Sequence, residues 1–424
     1  MAHGHTHEPI HLIEKFELPA KTRTYLIAAL VLGVVLVIMG ALWGMSHEVA
    51  PTGDHGEAAH GGHHSPIWVT QLWAAFLMNN VYFVGVAVLA IFFIAVSNVT
   101  DAGWYIMIKR IPEAMGNWLY VGLILMAIGL VGAGNLYHWW DPAVVAADEI
   151  LSKKASYLNQ NFFVIRFIVI FAIWITLFAL MRQSSKREDA NGGLREFHRT
   201  RTLSVVFVIL FALSFSVFAW DSIMSLDPHW FSTMFGVYLF ATSIVSAFSI
   251  ITMIAIYLKR AGYLPAFNDS HLHDLGKFTF AFSIFWAYIT FCQFMLIWYA
   301  NIPEETAYFY ARWIDTPYFY WFLSNFLINL VFPLLMLMSA GSKRNPSWLT
   351  FVCLVLAVGH YIDIWLMVTP SVLQNNGTFG LVEIGAFLVY GSAFLLVTAA
   401  GLSRASLVSK NHPYFRESLE HNYV

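Results

Sequence analysis

The sequence predicts an all-α integral membrane protein of ten transmembrane helices with both termini in the cytoplasm. Three observations carry that reading. The 424-residue chain is 58% hydrophobic and 11% charged, against roughly 25% charged residues in a soluble domain, so it lacks the polar surface that water requires. Ten apolar runs of about 20 residues, the length that crosses a hydrocarbon core, follow one another along it. Lys and Arg occupy alternate loops: one set carries Lys15, Lys21, Arg23, Lys109, Arg110, Arg182, Lys186, Arg187, Arg195, Arg199, Arg201, Lys259, Arg260, Lys277, Lys343, Arg344, Arg404, Lys410 and Arg416, and the other only Lys153, Lys154 and Arg312. Positive residues stay on the cytoplasmic side during insertion, which orients the chain and makes the number of spans even.

The runs lie near 24 to 44, 68 to 97, 115 to 137, 161 to 181, 202 to 224, 231 to 258, 278 to 300, 317 to 340, 347 to 369 and 379 to 402. The first lies well inside the chain and is followed by no small-residue cleavage pattern, so it reads as a retained helix. Tyr137-His138-Trp139-Trp140 closes the third run, Trp298-Tyr299 the seventh, and Tyr318-Phe319-Tyr320-Trp321 opens the eighth; such rings anchor helices at the headgroup level. Runs two to five and six to nine are expected to form two four-helix bundles of the same orientation, with helices 1 and 10 flanking them. Residues 1–23 then form a cytoplasmic segment, 24–402 the membrane domain with a periplasmic loop at 45–66, and 403–424 a cytoplasmic tail.

Several chemistries are absent from the pattern. The net charge of −2 and dispersed cations give no basic patch for nucleic acid. Cys292 and Cys353 sit inside apolar runs without a CxxC context and read as buried small hydrophobes. Intrinsic haem b needs two facing axial His, and only His360 is intramembrane, with His138 at an interface. The N-terminal His3, His5, His7 and His11 and the loop His47, His55, His60, His63 and His64 are His-rich tracts of a kind that can bind metal. The topology separates them across the membrane, and they read as loose, solvated segments.

Ionisable side chains within spans are expensive and mark a pathway, a partner or a bundle interior. Here they are Arg166, Asp221, His360, Asp363 and Glu383, all at mid-depth or nearer the periplasmic face, with His138, Asp141, Asp227 and His229 just beyond it. His360 and Asp363, three apart, share a helix face, which suits proton exchange, hydrogen bonding to a quinone carbonyl, or a salt bridge with Arg166. Arg166 needs a buried anion, and Asp221, Asp363 and Glu383 are its possible partners. Asn79 and Asn80, Thr290 and Gln293, and Asn325 and Asn329 form a second, uncharged set, which either bonds neighbouring helices or lines a hydrated path from the cytoplasm.

The turn Trp220-Asp221-Ser222-Ile223-Met224-Ser225-Leu226-Asp227-Pro228-His229-Trp230, continuing from Phe231 to Tyr238, resembles a motif of a membrane-anchor family of alternative complex III, the quinol:cytochrome c (or high-potential carrier) oxidoreductase of some bacteria. Chain length, ten spans and the tail Asn411-His412-Pro413-Tyr414-Phe415-Arg416 look similar too, so the resemblance covers nearly the whole chain. That family is similar in turn to membrane anchors of the NrfD and PsrC type. The resemblance implies one of two such anchors, set in the bacterial inner membrane and holding no redox centre. It implies, as partners, a second NrfD-like anchor that is the better candidate for the main quinol site, periplasmic multihaem cytochrome c and iron–sulfur subunits, and other small membrane subunits. Haem c and iron–sulfur clusters would sit in those partners, with menaquinol or another quinol as reductant. Asp221 and Asp227 to Trp230 match the family motif, and His360 and Asp363 match in type and depth its periplasm-facing polar cluster.

The expected mechanism places His360, Asp363, Asp221 and Glu383 in the upper part of a proton path, with Arg166 tuning them, and Thr290, Gln293, Asn325 and Asn329 in the lower part. Two other classes compete. A stand-alone secondary transporter would use the same cluster as substrate site, although Pro333 in run eight has no matching break in the other half. A purely structural anchor would need its carboxylates for assembly alone.

Overall fold

The computed structural model describes residues 15–47, 66–313 and 315–422. His3, His5, His7, His11, His55, His60, His63 and His64 lie outside the described residues. His47 is described and stacks on Trp43 with ring centroids 4.0 Å apart. Among the described residues there is no strand, and ten helices are long and apolar enough to cross a membrane: α1 (Ala20–Ser46), α2 (Ile67–Val99), α3 (Arg110–Asn135), α4 (Gln160–Asn191), α5 (Leu194–Leu226), α6 (Phe235–Arg260), α7 (Asp269–Ala300), α8 (Phe319–Met336), α9 (Pro346–Asn376) and α10 (Leu381–Leu402).

Local chemistry sets the boundaries. Asn268 caps α7, its Oδ1 accepting from the backbone N–H of Ser270 at 3.0 Å and of His271 at 3.1 Å. Asn159 caps α4 through Phe162 N–H at 2.9 Å. Asn345 caps α9, with Pro346 at the first helical position where no N–H is needed. Only Gly192 and Gly193 separate α4 from α5, at φ +67° and +87°, a reversal that a side chain would strain.

Burial sorts the helices. The apolar windows of α2 and α6 are 89% and 83% buried, whereas that of α1 is 6% buried. Helices apolar on every side belong at the centre. Accordingly α2 touches α3, α5, α6, α9 and α10, and α6 touches α5, α7 and α9 as well; α4 lies on α5 and α8 on α9. Asn79 and Asn80 are the polar links at this centre, donating to Tyr361 Oη of α9 at 3.0 Å and Tyr390 Oη of α10 at 2.9 Å. The outlying α1 lies mainly along α10. There Gly33 and Gly385 bring two backbones together: a Cβ on Gly33 would sit 2.6 Å from Gly385 O, and one on Gly385 2.7 Å from Gly33 O. Small residues allow such close packing where no hydrophobic effect drives helices together.

Two prolines break the regular ladder. In α8, Leu327–Val331 is wound as a π-helix just before Pro333; proline has no N–H for the carbonyl four residues earlier, and an inserted residue relieves the crowding. In α9, Pro370 leaves the Leu366 carbonyl without its helical donor. Arg312 supplies one, giving Nε to Leu366 O at 2.8 Å, Nη2 to Met367 O at 3.2 Å and Nη1 to Tyr308 O at 2.6 Å, with its guanidinium over the Tyr308 ring at 3.6 Å. Arg312→Leu is expected to cost about 2–4 kcal/mol, because it orphans buried carbonyls. Adding Pro370→Ala should recover about 1–2 kcal/mol by restoring an N–H to Leu366 O. Unfolding titrations of the single and double variants in detergent check both steps; no recovery in the double variant refutes the assignment.

The basic ends of the helices hold a buried ionic cluster. Lys109 pairs with Glu188 at 3.2 Å, both fully buried, and Arg110 pairs with Glu113 and Asp189. The tail closes over it. Asn411 Nδ2 donates to Asp189 O at 2.7 Å, Ser418 Oγ to Trp104 O at 2.9 Å, and Asn268 Nδ2 to His421 O at 2.6 Å. The N-terminal segment reaches the same end, where Tyr263 Oη donates to Glu17 O at 2.9 Å.

His412 is buried in this cap. Its Nδ1 accepts the Tyr414 N–H at 3.1 Å, and its Nε2 is 3.9 Å from Glu188, beyond hydrogen-bonding distance. Burial, followed by the charges of Lys109 and Arg110, lowers its pKa from 6.5 to about 3. The unfolded chain therefore takes up a proton at a higher pH than the folded one, so stability is complete above pH 6.5 and is lost as pH falls from there toward 3. At pH 5 the expected loss is ~2 kcal/mol. Proteolytic release of the tail should rise between pH 7 and pH 5 in the wild type and much less in His412→Gln; equal slopes would refute the role of this imidazole.

Candidate functional site

Asp363 is fully buried in α9 and is gripped by three other helices. Oδ1 accepts from Tyr238 Oη at 2.5 Å and Asn325 Nδ2 at 2.7 Å; Oδ2 accepts from Thr242 Oγ1 at 2.7 Å and Trp286 Nε1 at 2.9 Å. Each oxygen thus meets one hydroxyl, which can turn round to accept, and one N–H group, of which the Trp286 indole can only donate. No cation among the described residues lies within ion-pair distance of this carboxylate. His360, one turn earlier on α9, does not bond it. Both ring nitrogens of His360 are buried without a hydrogen-bond partner, and its ring sits edge-on to Trp286 with centroids 5.4 Å apart. Asn329 donates to Asn325 Oδ1 at 2.6 Å, extending the Asp363 network one turn along α8 toward the basic end.

The other buried carboxylates stand apart from Asp363, which corrects the expectation of one cluster. Arg166 chooses Asp221, with Nε to Oδ2 at 2.7 Å and Nη2 to Oδ1 at 3.1 Å, tying α4 to α5. Tyr157 completes that group, its hydroxyl 3.1 Å from Asp221 Oδ1 and its ring 3.9 Å from the guanidinium. Glu383 starts α10: Oε2 accepts Gly380 N–H at 2.8 Å and Oε1 accepts Gln71 Nε2 of α2 at 2.8 Å. Arg166 therefore acts on Asp221 and makes no bond to Asp363, His360 or Glu383. The cation on the Asp363 side of the molecule is Arg312, which lines a small cavity with Tyr238, Thr290, Gln293 and Asn325.

That cavity also relocates two residues. Thr290 and Gln293 lie on α7 beyond Trp286, toward the end away from the basic loops, so they belong above Asp363 and not in the lower part of a path. The antiparallel run of α7 and α8 explains it: later residues on α7 and earlier ones on α8 approach the same face. Below Asp363 the structure offers other groups. From Thr242, Ser246 and Ser249 continue a stripe down α6, and from Trp286, Ser283 and Thr279 one down α7, all buried. The hydroxyls of Ser249, Thr252 and Thr279 face the Cys353 thiol of α9. Several hydroxyls bond their own helix, as Ser246 does to Thr242 O at 3.0 Å and Ser283 to Thr279 O at 2.9 Å. The spacing of three and four was legible in the sequence, but Ser and Thr are common enough in spans to pass unremarked.

The outer residues build two facing connections, His138 and Asp141 the one between α3 and α4, Asp227 and His229 the turn between α5 and α6. Asp141 and Asp148 cap the short helices Pro142–Ala147 and Glu149–Lys154. The backbone N–H groups of Leu151 and Ile150, with His229 Nε2 at 2.9 Å, hold the Asp148 carboxyl below its ordinary range. Lys154 Nζ donates to Pro228 O at 2.6 Å, next to Asp227, and burial lowers its pKa against the pull of Asp227 and Asp148. Tyr137 Oη and Trp139 Nε1, flanking His138, donate to Ser222 O at 2.9 Å and Ser225 O at 3.0 Å. Trp230 stacks on Tyr308 at 4.3 Å. The segment from Trp220 to Tyr238 thus begins at the partner of Arg166 and ends at a ligand of Asp363. No family model matches the chain, and no curated protein matches it significantly.

Proposed function

We propose that this chain is a membrane subunit, without a redox centre of its own, of a respiratory quinol:cytochrome c (or high-potential carrier) oxidoreductase of the alternative complex III type, and that α6 to α9 carry protons in it. The observation that carries the proposal is Asp363: a fully buried carboxylate with four donors and, among the described residues, no cation in contact, beside an imidazole that makes no hydrogen bond to any of them. A structural carboxylate in a membrane is normally paired with a cation, as Asp221 is. A proton reaching Asp363 can be received through rotation of the Tyr238 or Thr242 hydroxyl and passed along the buried Ser and Thr stripes toward Cys353. Tyr238, Arg312, Thr290 and Gln293 line the way to the opposite face.

The wider reading rests on the sequence resemblance and on packing. Contacts among α2 to α5 and among α6 to α9 favour two four-helix bundles, with α1 and α10 flanking. The basic end, which both described chain ends approach, would face the cytoplasm of a bacterium, and His138, Asp141, Asp227 and His229 would face the periplasm. Multihaem cytochrome c and iron–sulfur subunits would dock there, with a second NrfD-like anchor alongside in the bilayer and menaquinol or another quinol as electron source. Tagging the chain in its native host, extracting it gently and recording copurifying proteins and a reduced-minus-oxidised spectrum tests this. A haem c spectrum with iron–sulfur partners is expected; a colourless, partner-free, monodisperse protein overturns it in favour of a secondary transporter built around the broken helices α8 and α9.

A further inference from the structure

A second feature of the basic end is a group of three cations that form no ion pair among the described residues. A surface cavity of about 510 Å³ between α3, α4 and the end of α10 is lined by Asn117, Tyr120, Arg182, Lys186 and Arg404. Six cations on this face, Lys109, Arg110, Arg199, Arg201, Lys259 and Lys277, form ion pairs. Arg182, Lys186 and Arg404 form none among the described residues. Arg182 is fixed by neutral acceptors, Gly401 O at 3.0 Å, Glu113 O at 3.3 Å and the Asn117 side chain, and its buried Nε has no partner. The Glu113 carboxylate is already committed to Arg110 and to Ser185 at 2.7 Å. The three cations are close enough to repel one another.

Like charges gathered without a counter-ion raise the energy of the fold unless an anion joins them. The position says which kind. The cavity lies where α3 and α4 meet the basic loops, and from Tyr120 an exposed stripe continues down α3 through Ile124 and Ile128, four residues apart and hence on one face. A cationic pocket at headgroup depth above an apolar track suits a phosphate group carried on acyl chains. We infer that this cavity binds the phosphate of an anionic phospholipid, with Arg182 as the fixed donor, Lys186 and Arg404 closing on the charge, and the acyl chains along Tyr120, Ile124 and Ile128. The inference needs only that the chain sits in a bilayer and is independent of the electron-transfer proposal.

Native mass spectrometry of the full chain, purified with whatever accompanies it, tests the assignment by titration with phosphatidylglycerol, phosphatidylcholine and inorganic phosphate. Phosphatidylglycerol is expected to bind at least tenfold more tightly than phosphatidylcholine. Lys186→Gln/Arg404→Gln should abolish that preference, while Arg195→Gln/Arg416→Gln, the same charge change at exposed sites elsewhere on this face, should keep it. Arg404→Glu, on a turn beyond α10, gives a second readout that leaves α4 untouched and should likewise abolish the preference. Retention of the preference in the first pair, or equal loss in both pairs, overturns the site. Equal competition by inorganic phosphate and by soluble glycerophosphate, with no lipid preference in the wild type, overturns the lipid assignment in favour of a soluble ion.

Discussion

Asp363→Asn is expected to leave the protein folded and to slow proton-linked turnover of its complex on the order of 100-fold, the scale at which a positioned acid–base group acts. The substitution keeps the shape of the side chain. Its new NH2 group must face either Trp286 Nε1, which cannot accept, or Asn325, which accepts only if its amide flips and Asn329 flips with it. The network therefore either flips both amides or loses one hydrogen bond, at a cost of up to about 1–3 kcal/mol, and the hydroxyls of Tyr238 and Thr242 turn with it. Asp363→Leu leaves the Asn325 N–H unpaired and the Trp286 indole with Thr242 Oγ1 alone, at 3.2 Å, and should destabilise more. Turnover and proton release of the purified complex, measured beside its unfolding midpoint, separate chemistry from stability. Wild-type turnover and proton release in an intact Asp363→Asn complex would sink the role assigned to this carboxylate.

The second large effect is on stability alone. Arg166→Met strands Asp221 in the bundle with only the Tyr157 hydroxyl, and removing one partner of a buried pair costs about 3–5 kcal/mol. Arg166→Lys is expected to recover little of this, because an ammonium cannot make the two parallel bonds of the guanidinium or spread over the Tyr157 and Phe162 rings, 3.9 and 4.4 Å away. Removing both charges, as in Arg166→Met/Asp221→Leu, should return stability to within ~1–2 kcal/mol of wild type. Denaturant midpoints in detergent decide it. If the double variant is no more stable than Arg166→Met, the pair does not behave as a closed unit and Asp221 has a further partner.

The ten spans were legible because length and hydropathy alone define them, and each run recognised in the sequence falls within or across a helix of the structure. Asp221, His360, Asp363 and Glu383 were legible as costly residues, for the same reason. Their grouping was not. Depth along a helix can be counted from the sequence, but rotation about the neighbours cannot, so Arg166 had three possible partners until packing left Asp221 in reach. Thr290 and Gln293 were displaced by a related gap: a stripe on one helix gives a face without saying which side of the site it serves. Lys109 and Arg110 were hidden differently. They read as loop charges that orient the chain, and only the folded tail turns them into a buried cluster. Arg312 was one of the three cations in the sparsely charged set of loops, and the carbonyl freed by Pro370 gives it a reason to be there.

The pairing of α1 with α10 through Gly33 and Gly385 has a consequence for biogenesis. Among the ten spans, the first to leave the ribosome has as its main neighbour the last. While α2 to α9 are being made, α1 stands in the lipid with its glycine face unmatched, and long-range contacts of this kind form late. Products that stop before Leu381 would carry an α1 with almost no packing surface of its own, a mark by which membrane quality control could tell an unfinished chain from a complete one.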